Sequence, residues 1–144
     1  MGLFSHLRAG SVDDRALGTG LWRQDHDRFR RAVDRFHQVL EGVESDETYA
    51  QLLPQADRLG ELVSRVRVVC TACHKRHPVD GSDVPGDLEP VHRALSRAAN
   101  DAAAAAQAAA MARFAESPGI VAQTVARRVQ IVVDRVDEAA GALE

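Results

Sequence analysis

From Leu21 onward, apolar side chains recur at three- and four-residue steps with charged residues between them. Trp22, Phe29, Ala32, Val33, Phe36, Val39, Leu40 and Val43 form one such stripe, and Gly42 and Ser45 mark its end. A period near 3.6 predicts an amphipathic helix that buries the stripe. A second stripe runs through Leu52, Ala56, Leu59, Val63, Val66, Cys70 and Cys73 and stops at Pro78. Pro54 falls early in that segment, where it either kinks the helix or sits in its first turn.

Gly81-Ser82-Asp83-Val84-Pro85-Gly86 is a turn cluster, and Asp87 reads as the cap of a third helix that starts with Leu88, Val91, His92 and Leu95. Its later part is an alanine tract, Ala102–Ala106 and Ala108–Ala110, running on to Phe114. Alanine has the highest helix propensity and a thin profile, so a neighbouring helix can approach closely. Ser117-Pro118 reads as a cap followed by proline in the first turn, opening a last helix with Val121, Val125, Val129, Val132, Val136 and Leu143. No strand-like alternation and no internal repeat is present.

Four helices with short connections predict an all-α, up-down-up-down four-helix bundle over residues 21–144. Residues 1–20, with Gly2, Gly10, Gly18 and Gly20 and little periodicity, are expected to form a loosely held N-terminal arm with at most one short helix. Leu3, Phe4 and Leu7 let its beginning dock on the body. In the bundle, the end of the second helix is expected beside the starts of the first and third. His92 then comes nearly level with Cys73, and His26 about two turns deeper.

A length of 144 residues suits one domain with a real core. The aromatic residues are only Phe4, Trp22, Phe29, Phe36, Tyr49 and Phe114, so the core is drawn mainly from Leu, Val and Ala. A formal charge of −3 gives no global attraction to nucleic acid or an acidic membrane. Arg28, Arg30, Arg31 and Arg35 interleave with Asp25, Asp27, Asp34 and Glu41, and pairs such as Asp27–Arg31 predict a solvated, ion-paired helix face. No segment reads as a membrane span, a secretory signal or a myristoylation site, so a cytoplasmic protein is expected.

Chemistry concentrates in one place. Cys70, Cys73, His74 and His77 stand at i, i+3, i+4 and i+7, on one stripe of a helix. Thiolate and imidazole ligands suit zinc or copper, and two or three of these residues joined by His92 from the next helix would make a metal site, with His77 at its rim. One straight helix cannot wrap four ligands around a tetrahedral ion, so His92 is essential to that reading. The packing alternative is equally concrete. Both cysteines continue the core register as small hydrophobes, while Lys75, Arg76 and His77 suit a last helical turn before Pro78.

Cys70-Thr71-Ala72-Cys73-His74 also resembles the c-type haem attachment motif of the cytochrome c′ family of helical bundles. That resemblance covers five residues and the bundle architecture. It implies two thioether links, through Cys70 and Cys73, and His74 as the proximal iron ligand.

No phosphate loop, dinucleotide fingerprint, nucleophile elbow or His-Glu-x-x-His motif occurs. Glu89 and His92 make a single Glu-x-x-His, whereas a di-iron bundle needs two plus further glutamates. The reading is a non-enzymatic interaction or structural module with a protein partner or a second copy of itself. The alternative is a zinc-, copper- or haem-binding protein centred on Cys70, Cys73, His74, His77 and His92.

Overall fold

The computed structural model describes residues 12–78, 81–115 and 117–144. It is the expected all-α, up-down-up-down four-helix bundle: α1 (Leu21–Glu41), α2 (Asp46–Arg76), α3 (Glu89–Met111) and α4 (Pro118–Ala142), with 3₁₀ turns at Gly86–Leu88 and Ala112–Phe114. Among the described residues no helix is long and apolar enough to cross a membrane.

The helix limits follow local chemistry. α1 stops at Gly42, and the Ser45 hydroxyl accepts from the Thr48 N–H at 3.2 Å, capping α2. Pro54 lies inside α2, so the helix continues past a position that lacks one backbone donor. Asp87 belongs to the 3₁₀ turn that leads into α3, and Leu88 holds the cap position instead. Ser117 caps α4 by position, with Pro118 in the first turn.

The arrangement around the bundle axis decides which side chains meet. α3 packs most extensively on α4 and α1, while α2 packs on α1 and α4. α2 and α3 touch only slightly, so they occupy one diagonal and α1 and α4 the other. Paired residues rise together between α1 and α3, where Asp25 meets His92 and Arg28 meets Asn100. The same holds between α2 and α4, where Arg58 meets Gln130 and Arg65 meets Asp137. These neighbours are therefore parallel. The chain from α2 to α3 must cross the end of the bundle, and on the way the Gly81 carbonyl accepts from the Leu21 N–H at 3.0 Å.

The core runs the full length. Trp22, Phe29, Val33 and Phe36 of α1 pack with Leu52, Leu59 and Val66 of α2 and Val125, Val129, Val132 and Val136 of α4. α3 contributes Ala98, Ala102, Ala105, Ala106 and Ala109, each fully buried. With only a methyl group at these positions, α3 can lie close to both neighbours, which suits its extensive packing.

Of the N-terminal arm, residues 1–11, including Leu3, Phe4 and Leu7, lie outside the described residues. Residues 12–17 form a short helix. Leu17 is fully buried, and Asp13 and Asp14 pair with Arg23 and Arg67.

Candidate functional site

The chemistry-bearing residues collect at the end where α1 and α3 begin and α2 ends. Cys70 and Cys73 face inward, and neither exposes any surface. Both are free thiols. Burial, reinforced by the Asp25 carboxylate, pushes the Cys70 thiol well above its ordinary range. Burial pushes Cys73 up to about 12 against the opposing pull of Arg76. A thiol is a nucleophile and metal ligand only as thiolate, so both are held in the unreactive form.

His74 turns towards the N-terminal arm. A Cβ built on Gly18 would lie 2.6 Å from the His74 Cε1 and 2.7 Å from Nδ1. The ring thus rests where a glycine leaves room for it. Gly18 also has φ +73°, the left-handed conformation that commonly ends a helix, and its N–H bonds to the Asp14 carbonyl at 2.9 Å. Nδ1 of His74 is buried and has no hydrogen-bond partner. His77 pairs with Asp87, Nε2 to Oδ2, at 3.1 Å on the surface.

His92 takes a different partner from the one the sequence suggests. Its Nδ1 lies 2.7 Å from the Asp25 Oδ2 on α1. Asp25 is only 6% exposed, which makes it a buried carboxylate held by one imidazole. Burial raises its pKa, and the His92 hydrogen bond and the Arg28 charge oppose that rise without cancelling it. An ionised Asp25 accepts from the Nδ1–H of His92.

A second carboxylate–imidazole pair follows directly after Asp25 in the chain. His26, 2% exposed, meets Asp27 at 2.8 Å, and Asp27 also accepts from Arg23 at 2.9 Å. Burial pushes Asp27 up, but the bonds from His26 and Arg23 outweigh it and hold the carboxyl below its ordinary value. The partner of Asp27 on the helix surface is thus Arg23, one turn before, rather than Arg31. His37 lies apart, its ring Nδ1 bonded to the Val33 carbonyl at 3.0 Å.

The five residues read as a metal constellation therefore divide three ways. The thiols enter the core, His74 goes to Gly18, and His77 and His92 each go to an aspartate. Among the described residues no group of three or more His, Cys, Asp or Glu side chains is arranged to hold a metal ion.

Asp25 and Gly18 are the residues that the motif search passes over. Asp25 had a signal: it stands three residues after Trp22 and four before Phe29, inside the apolar stripe of α1, where a carboxylate needs a buried partner. Gly18 had none, because the close approach of His74 is a long-range contact.

The opposite end is apolar and open. Where α3 turns into α4, Met111 is 64% exposed, Phe114 83% and Ile120 64%. A groove of about 410 Å³ runs between the two helices, lined by Ala104, Ala108, Met111, Ile120, Val121 and Thr124, with Gln107 and Arg128 beside it. Tyr49 and Leu53, at the start of α2, are exposed at the same end.

Compared with known proteins, the chain matches no family model, no curated protein and no solved structure.

Proposed function

We propose that the chain is a non-enzymatic interaction module that binds another protein chain through the α3–α4 end. The observation that carries this reading is the joint exposure of Met111 and Ile120 along an apolar groove, with exposed Phe114 in the turn between their helices. Fully burying one such side chain is worth about 1.5–3 kcal/mol, and contiguous apolar patches on monomers mark contact surfaces. Among the described residues Arg128 is the one charge lining the groove, and this mainly apolar lining suits a protein rather than nucleic acid. The two free thiols suit a reducing compartment, which makes the cytoplasm its place of action.

The test is a photo-crosslinking residue placed at position 111 or 120 in the host cell, with exposed Glu61 as the control position. A discrete adduct at 111 and 120, absent at 61, supports the reading. An adduct of doubled mass identifies the partner as a second copy. No discrete adduct at either position overturns it.

The alternative, a zinc-, copper- or haem-binding protein using Cys70, Cys73, His74, His77 and His92, draws no support from the grouping of side chains, since among the described residues no three His, Cys, Asp or Glu stand together to hold a metal ion. Elemental analysis and a visible spectrum of protein purified without chelator decide it. Stoichiometric metal or a Soret band would reinstate it.

A further inference from the structure

Charge is unevenly spread around the apolar end. Between Asp101 and Asp134 the sequence carries Arg113, Arg127 and Arg128 against Glu116 alone, in a chain whose formal net charge is −3. The groove between α3 and α4 lies within this basic stretch. Arg127 and Arg128 are exposed, and among the described residues neither has a carboxylate partner. Asp101 is already engaged, 3.5 Å from Arg135.

The α1 side of α3 repeats the pattern. A second cleft, of about 270 Å³, is lined by Arg35, Gln38, Val39 and Ala110. Ala110 precedes Met111, so the two clefts flank the last turns of α3, with Arg35 at one and Arg128 at the other. The acids of α1 do not neutralise this side. Asp27 accepts from Arg23, and Asp34 stands 3.9 Å from Arg30. Arg31 and Arg35 stay exposed, with no carboxylate partner among the described residues. Between the clefts, residues 102–111 carry no charge, and only Gln107 and Met111 are larger than alanine. Another helix can therefore lie low along this ridge.

We infer, on the reading of the α3–α4 end as a contact surface, that its partner is an acidic amphipathic helix whose apolar side chains seat in the groove and whose carboxylates meet Arg128 and Arg35. The groove spans residues 104–111 of α3, about two turns, which matches anchors at i, i+3 or i+4, and i+7 of a docked helix. Arginines on both flanks repel a basic helix and leave a neutral one without matching charge. Carboxylates at those edges gain partners that no acid of this chain occupies. A second copy docked through the same face would instead oppose Arg35 and Arg128 to another surface with excess cations.

The test uses the full chain in the host cell, with a photo-crosslinking residue at position 124 on the groove. Mass spectrometry of the adduct reads the sequence of the captured segment. That segment should hold more Asp and Glu than Lys and Arg, with apolar residues three and four apart. Arg35→Glu with Arg128→Glu should cut the adduct about tenfold, and Arg128→Gln alone about threefold. Arg15→Glu with Lys75→Glu makes the same change in net charge at exposed positions of the opposite end and should leave the adduct intact. All these variants should keep the wild-type urea midpoint, since each altered side chain is exposed. An adduct undiminished by the Arg35 and Arg128 reversal, or a captured segment without acidic excess, overturns the inference while the contact-surface reading stands. So does an adduct of doubled mass. A lipid or a nucleic acid in the adduct overturns both, as does the absence of any adduct.

Discussion

Where α1 and α3 begin, ionisable side chains are turned inward and paired, with Asp25 on His92, Asp27 on His26 and Arg23, and a glycine shaped around His74. Where α3 passes into α4, large apolar side chains are exposed among the described residues, Phe114 most of all. Each end thus inverts the usual placement, and the two inversions have different physical consequences. A buried carboxylate costs free energy that its hydrogen bonds must offset, so the histidine end is tightly specified. An exposed phenylalanine costs little in the isolated fold, so the apolar end is free to vary for binding. The end that looked chemical is closed, and the end without chemistry is open.

The largest effect should separate the two ends by stability. Trp22→Ala, at the histidine end, removes a fully buried indole and is expected to destabilise the fold by about 3–5 kcal/mol. Phe114→Ser should stay within about 0.5 kcal/mol. Urea denaturation of both variants measures this, and equal losses would break the comparison.

Gly18→Ala should come next, at about 1–2 kcal/mol from the left-handed backbone alone, with the crowding of His74 added. A double-mutant cycle with His74→Ala isolates the second part. The variant pair should recover the steric share and keep the backbone share. Strict additivity would mean that Gly18 and His74 do not press on each other.

A finer division within the histidine end concerns pH. The folded pKa of Asp25 lies above the unfolded value of 3.8, so the folded state holds its proton more tightly. Stability from this group is therefore greatest below 3.8 and is lost as pH rises through the folded pKa. Asp27 has the opposite sign: its folded pKa lies below 3.8, so its contribution is present above that value and is lost as pH falls through the folded pKa. Asp27→Asn should flatten the acid limb of stability against pH, whereas Asp25→Asn should steepen it. Denaturation midpoints between pH 2 and 6 check the two signs, and parallel curves for the two variants would contradict the assignment.

The smallest expected change in stability is at the apolar end. Met111→Gln with Ile120→Gln should alter the denaturation midpoint little, because both side chains are already 64% exposed. The same pair should abolish the adduct formed by a photo-crosslinking residue placed at Thr124, on the same groove. Loss of stability without loss of the adduct would assign these residues to the core rather than to a contact surface.

Much of the fold was legible from spacing. The stripes on α1, α2 and α4, the turn cluster before α3 and the Ser117-Pro118 start all act within a few residues, so local pattern reveals them. The candidate site was less legible. Cys70 and Cys73 read equally well as ligands or as core, since both uses need the same register on α2. The choice of burial depends on what covers that face, and the covering elements are distant in the chain. His92 was expected nearly level with Cys73; α2 and α3 lie across a diagonal, and the hydrogen-bond partner of His92 comes from α1. Asp25 could have been found by asking what answers a carboxylate on an apolar stripe.

The sequence by itself determined the number of long helices, their approximate limits and the face each buries, because helical period, caps and prolines are local properties. The tertiary structure decided which helices became neighbours. That choice sent the thiols into the core, His92 to Asp25 and His74 under Gly18, because a side chain's partner depends on the packing of whole helices. A five-residue motif carries the same letters whether its face meets an ion or a neighbouring helix, and only the neighbour distinguishes them.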